Sequence, residues 1–87
     1  MKNLSNIFLD YLPHLDLHGE IHAIAAIKTR DFIEESIKLG NKKIIIVHGK
    51  GTGIVKQSVH DTLKTNKNVI KYHADNFNEG ITIVELK

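Results

Sequence analysis

The sequence predicts an α/β fold with a mostly parallel sheet, and three observations lead there. Apolar residues switch between a strand-like period of about two and a helix-like period of about 3.6 along the chain. One run, Ile44 to Val47, is continuous and β-branched, as in a strand buried on both faces. Glycines stand where the first two strands would hand over to helices, at Gly19 and from Gly49 to Gly53. Such alternation implies right-handed βαβ crossovers.

Each element follows in order. Leu4, Ile7, Phe8 and Tyr11 share one helical face, so residues 1–12 are expected to form a short amphipathic helical arm, packed on the domain or on a partner. Pro13 should end it, because the residue before proline is pushed out of the helical region. The domain proper then spans 13–87. His14 to His18 alternates, with Leu15 and Leu17 on one face and His14, Asp16 and His18 on the other, as in a strand. From about Ile21 to Leu39 a helix is expected, with Ala25, Ala26, Phe32, Ile33 and Ile37 on its apolar half and Gly40-Asn41 as its stop.

After the strand at Ile44 to Val47, a second helix presents Val55, Val59, Thr62 and Leu63 and stops at the polar TNKN, 65–68. Val69 to His73 reads as a third strand, 74–80 as a polar loop and Ile81 to Leu86 as the last strand. That strand should be antiparallel, since its connection is too short for a helix. The expected order is βαβαββ.

With 87 residues the chain fits one core. Zero cysteines exclude disulfides, thiolate metal sites and cysteine nucleophiles. No apolar run approaches the roughly 18 residues of a membrane span. The opening MKNLSNIFLDYL lacks the layout of a secretory signal, so a cytoplasmic location is expected. Net charge is only +2, yet Lys42, Lys43, Lys50, Lys56, Lys64, Lys67 and Lys71 fall between 42 and 71, opposed there by Asp61 alone. A basic central third suits a phosphate backbone; a solvated lysine-rich surface is the alternative.

In an open α/β sheet, ligands bind outside the carboxyl ends of the strands. His18-Gly19 and His48-Gly49-Lys50-Gly51-Thr52-Gly53 both sit there, and parallel topology should bring them together. Gly49, Gly51 and Gly53 allow positive φ and let backbone N–H groups face a ligand at a helix N-terminus whose dipole favours anions. Lys50 and Lys56 add charge. This is a phosphate cradle in physical terms, although a glycine-rich turn that merely joins strand to helix is the alternative. Neither the Walker pattern nor the dinucleotide G-x-G-x-x-G fits, because Ile54 stands where each needs another residue.

His14, His18 and His22 repeat every four residues, but Pro13 and Gly19 argue against the single helix that would make them zinc ligands. No protein-held metal is expected from them. Asp16, His18 and His48 remain, expected at the same loop edge. A carboxylate beside an imidazole can orient it and hold its proton, so the set suits general acid–base chemistry on a phosphodiester.

Together LDLHG (Leu15 to Gly19) and HGKGTG (His48 to Gly53) resemble the two signature motifs of the small MutS-related (Smr) domain family, and the resemblance runs over roughly residues 13–87. It implies a two-layer α/β sandwich of two helices on a four-stranded sheet, similar to the C-terminal domain of the bacterial third initiation factor. It also implies a nucleic-acid endonuclease acting on RNA or on nicked or branched DNA, with messenger RNA at stalled ribosomes among the substrates. By this resemblance Asp16 and His18 are catalytic and the HGKGTG segment holds the backbone; the residues themselves add Gly19 and Lys56 to Gly49, Lys50, Gly51, Thr52 and Gly53 as expected backbone contacts, with His48 or a lysine expected to stabilise the developing charge. The closing segment departs from the family pattern: Glu79 stands where glycine is frequent, and an extra carboxylate would repel phosphate.

If RNA is cut, its 2′-hydroxyl can be the nucleophile and no cofactor is required. If DNA is cut, a divalent metal such as Mg²⁺ is expected to activate water, with Asp16 as a ligand. The expected partners are nucleic acid and the ribosome, with no membrane, the chain being a monomer or weak homodimer. A non-catalytic nucleic-acid- or ribosome-binding module is the competing expectation.

Overall fold

The computed structural model describes residues 11–87. The helical arm expected from Leu4, Ile7 and Phe8 falls outside them, and Tyr11 is exposed. The elements run β1 (His14–Asp16), α1 (His22–Lys38), β2 (Lys43–Val47), α2 (Ile54–Lys64), β3 (Val69–Ala74) and β4 (Ile81–Leu86), the βαβαββ order that the periodicity predicts. No helix among the described residues is long and apolar enough to cross a membrane.

Helix α1 stops where the sequence says it should. Gly40 takes φ of 79°, its N–H donates to Ile37 O, and the Asn41 N–H donates to Ser36 O. These two bonds satisfy terminal carbonyls that the helix leaves over, and only glycine adopts that backbone without strain.

The sheet order is β1-β2-β4-β3, with β1 and β2 parallel and β4 antiparallel to both its neighbours. The sheet is thus mixed rather than mostly parallel, which corrects the expectation. Strand directions are as predicted: β1, β2 and β3 run one way and β4 the other. What the pattern missed is that β4 lies between β2 and β3 and separates them. Burial explains the choice. Of β4, Thr82, Ile83, Val84 and Leu86 are buried, whereas β3 leaves Ile70, Lys71, His73 and Ala74 exposed. Each fully buried Val, Leu or Ile contributes about 1.5–3 kcal/mol. Moving β4 to the edge would lose several kcal/mol, and moving Lys71 and His73 inward would cost more.

Both helices cover one face of the sheet. Leu17, Ile44, Ile46, Val84 and Leu86 meet Ala25, Ile33, Val59 and Leu63 in a single apolar cluster, with Leu15, Phe32, Ile37, Val55, Val69 and Tyr72 packed around it. This is the two-layer sandwich that the resemblance implies. The buried stripe of α1 is Ala25, Thr29, Ile33 and Ser36, so two hydroxyl residues replace apolar ones that the helical wheel favoured.

Thr29 has no exposed surface, and its Oγ1 has no hydrogen-bond partner. A buried, unpaired hydroxyl costs about 1–3 kcal/mol. Thr29→Val keeps the shape and removes the orphan, so it is expected to stabilise the fold by about 1 kcal/mol. Urea denaturation of both proteins measures this; a loss of stability would mean that the hydroxyl is satisfied in solution.

Candidate functional site

Two turns meet at the carboxyl ends of β1 and β2. Leu17 N–H donates to Val47 O at 2.7 Å, which prolongs the parallel pairing by one residue and delivers His18 to the rim. Gly19, with φ of 77°, and a Glu20 N–H to Leu17 O bond then turn the chain into α1. On the other side Gly49, with φ of 77°, packs so closely that a Cβ there would lie 3.2 Å from the Cβ of His18. Between the turns lies a hollow of about 530 Å³, lined by His18, Gly19, His48, Gly49, Lys50, Gly51, Thr52, Gly53 and Lys56 of the expected set. Asp16 sits behind His18. Glu20, Ile21, His22, Ile54 and Val55 complete the lining; of these only His22 stands out in the sequence, for its spacing from His14 and His18, and nothing in the types or spacing of the other four marks them.

The hollow is electropositive by construction. It receives the N-terminal ends of both helices, capped at Ile21 and Gly53 without a side-chain hydrogen bond, and neither first turn carries an acidic residue. Ile54 N–H has only a long, 3.4 Å contact to Thr52 Oγ1. Unsatisfied N–H groups and the helix dipole favour an anion here, and Lys50 and Lys56 reinforce it. Of the three loop glycines, Gly49 and Gly53 use positive φ, whereas Gly51 does not. The basic central third divides in space: Lys50 and Lys56 reach the hollow, while Lys43 and Lys71 stand opposite Glu85 at the other end of the strands. Glu20 is held by Lys28 Nζ at 2.9 Å, and Glu79 is exposed on the β3–β4 turn and does not line the hollow.

His18 and Asp16 form an exposed pair. The His18 Nδ1–H donates to Asp16 Oδ1 at 2.8 Å, and the His18 backbone N–H donates to the same oxygen at 3.1 Å. The bond from His18 holds the Asp16 carboxyl below the usual carboxylate range. In return, the carboxylate raises the His18 imidazole above its usual value. With Nδ1 engaged, Nε2 is the basic atom that the neutral ring presents.

His48 is placed differently. Strand alternation puts Ile44, Ile46 and His48 on the helix-covered face and Asp16 and His18 on the other, a parity that the shared loop edge concealed. His48 is 4% exposed. Its Nδ1–H donates to Gly49 O at 2.9 Å, because a carbonyl only accepts, and its Nε2 then accepts from Thr82 Oγ1 at 2.8 Å. Thr82 in turn accepts from His60 Nε2–H at 3.0 Å, and the His60 ring packs against Tyr72 with centroids 5.1 Å apart. The chain of bonds closes with every member satisfied. It runs from α2 through β4 to the loop, so it fixes the Gly49 peptide. Gly80 completes the support: its carbonyl accepts from both His48 and Gly49 N–H, and a Cβ on it would come within 3.1 Å of Gly49 Cα.

His14, His18 and His22 lie on β1, on the first turn and at the start of α1. Among the described residues no group of three or more His, Cys, Asp or Glu is placed to hold a metal ion.

Burial pushes both His48 and His60 below the usual imidazole value; the nearby Lys56 adds to this in both, and His48 and Lys64 add to it for His60. An unfolded imidazole takes its proton near 6.5, whereas these rings resist until a lower pH. The native state therefore binds fewer protons, and stability is expected to fall as pH drops from above 6.5 through the folded values. Urea denaturation at neutral and mildly acidic pH measures the loss, and His60→Gln, which cannot titrate, is expected to lose less. An equal loss in both proteins would remove His60 from the effect.

The family model of the Smr domain matches residues 15–87. Over 76 residues, 84% of this chain, the sequence is 38% identical to endonuclease MutS2 of Geobacillus sp. (strain WCH70) and 37% identical to endonuclease MutS2 of Clostridium tetani. The chain spans 10% of the length of these relatives. The crystal structure of the Smr domain of Thermus thermophilus MutS2 matches with a TM-score of 0.84 and 29% identity, over 87% of this chain and 99% of that one. YdaL, a stand-alone small MutS-related protein from Escherichia coli, shares the fold with a TM-score of 0.81 at 22% identity, over 100% of this chain and 79% of its own. The two histidine-glycine turns, their supporting sheet and the sequence match lead to one assignment: the chain belongs to the Smr domain family.

Proposed function

We propose that the hollow binds the phosphodiester backbone of a nucleic acid and that His18, oriented by Asp16, cleaves it as an endonuclease. One observation carries this reading: an Asp–His pair with its Nε2 free stands at the rim of an anion site made by two uncapped helix ends. The relatives named endonuclease MutS2 are far longer proteins, and their name alone says nothing of what this chain cuts.

RNA is the substrate that this donor set suits. Neutral His18 Nε2 takes the proton of a 2′-hydroxyl, and the 2′-oxygen attacks the adjacent phosphorus. The bond from phosphorus to the 5′-oxygen breaks. A 2′,3′-cyclic phosphate remains, and the leaving oxygen takes a proton from water. Lys50, Lys56 and the N–H groups of the loop and helix ends stabilise the charge that develops on the non-bridging oxygens. His48 does not touch substrate in this scheme. Both its nitrogens are used inside the protein, so it is a positioning residue for the Gly49 peptide.

Cleavage of DNA would need another nucleophile, in practice metal-bound water. Asp16 and Glu20 could offer oxygen ligands, but Asp16 Oδ1 already accepts two bonds from His18 and Glu20 is paired with Lys28. That donor set does not fit a resident divalent ion, and the proposed step runs through no metal.

His18→Ala is expected to lower cleavage of labelled single-stranded RNA by about 10²–10⁴-fold, the usual contribution of a general base, while leaving RNA binding largely intact. Chelator is expected to have no effect. Undiminished cutting would remove His18 from the mechanism. Salt-sensitive binding with no products under any condition would leave a binding module.

The Asp16 carboxylate raises the His18 pKa, so the neutral, basic form is reached only above the ordinary imidazole range. The acid limb of the rate profile is therefore expected above about 6.5. Asp16→Ala should move that limb down toward the ordinary value and lower the plateau, because the ring loses its orientation. A limb that stays in place would mean that His18 is not the group titrating.

A further inference from the structure

Two side chains at the hollow are out of place for a site that holds phosphate alone. Ile21 occupies the cap position of α1 and Ile54 the first position of α2. Both line the hollow, and they are 64% and 55% exposed. A cap position such as that of Ile21 favours Ser, Thr, Asp and Asn because a side-chain oxygen satisfies the free N–H groups, and isoleucine is among the poorest choices there. An exposed isoleucine also forgoes the gain from burial. Single exposed apolar residues, such as Leu39 and Phe77 here, are ordinary on any surface. Ile21 and Ile54 differ because they stand on one hollow, at its two helix ends, with half-buried Val55 beside them.

We propose that Ile21 and Ile54 hold an unpaired nucleobase of the strand whose backbone occupies the hollow, so that the site selects nucleic acid whose bases are free. This rests on the backbone-binding reading above. In a duplex the base faces are stacked on one another and a protein meets only backbone and groove edges. In a single strand the faces are open and can lie on apolar side chains. The charges agree: Lys50 and Lys56 suit a phosphate at the same hollow, and its carboxylate, Glu20, is turned to Lys28. Aliphatic contact carries no hydrogen-bond code, so the selection is for unpaired bases of any kind.

The test uses the whole chain and an Ile21→Ala, Ile54→Ala double variant. Alanine brings no oxygen to the helix-end N–H groups, so these donors stay open to phosphate, and because both side chains are exposed the thermal midpoint is expected to stay near that of the parent chain. Fluorescence anisotropy is read with three labelled probes: a short single-stranded RNA blocked by 2′-O-methyl groups, the same strand with every base removed, and a paired duplex of the same sequence. The variant is expected to lose about tenfold in affinity for the first probe and nothing for the other two. An equal loss on all three, or no loss on any, overturns the base contact. Lys50→Ala with Lys56→Ala tests the underlying reading separately, since it should weaken all three probes. A wild-type protein that binds none of them sinks that reading and the base contact together.

Discussion

Everything at the site depends on the antiparallel pairing of β2 with β4. Because β4 enters the sheet beside the carboxyl end of β2, its first residues lie under the glycine loop. Gly80 then offers one carbonyl to two loop N–H groups, and Thr82 offers a hydroxyl to His48. With β3 in that place, as a mostly parallel sheet would have it, the residues beside the loop would be the exposed end of an edge strand. The apolar burial of β4 therefore does two things: it completes the core, and it puts a rigid floor beneath a loop whose glycines would otherwise leave it loose.

The two histidines of the paired motifs show how one residue type is put to opposite uses by its surroundings. His18 stands in water with a carboxylate on one nitrogen, and that partner favours its protonated form. His48 is enclosed, and its enclosure favours the neutral form with one nitrogen donating and the other accepting. The first suits proton transfer, the second the holding of a peptide. Neutrality of His48 also matters for its neighbours, since a second charge beside Lys56 under the loop would be repelled.

The helix ends at the hollow are weaker than they could be. Neither has a side-chain cap, and a good cap is worth about 1 kcal/mol. A serine or aspartate there would satisfy N–H groups that otherwise stay open to an anion. Leaving them open sacrifices some helix stability, and the packing of Ala25, Ile33, Val59 and Leu63 beneath is what tolerates it.

Much of this was legible along the chain. Periodicity located every element of the domain to within a residue or two, with β4 as expected and β1 ending at Asp16 rather than His18, and the positive-φ glycines at 19 and 40 mark turns where they were expected. The motifs LDLHG and HGKGTG identified the turns that line the hollow. Local sequence determines such features because backbone propensity and side-chain alternation act between near neighbours. Tertiary structure alone decided which strand lies next to which, and with it that Gly80 and Thr82 support the loop, that Ile21 and Ile54 share a hollow and that His48 points inward onto Thr82 and not toward Asp16. Those relations join residues far apart in the chain, the His48–Thr82 bond alone spanning 34 positions, and they follow from the total apolar surface each strand can bury, a quantity that no short stretch of sequence contains.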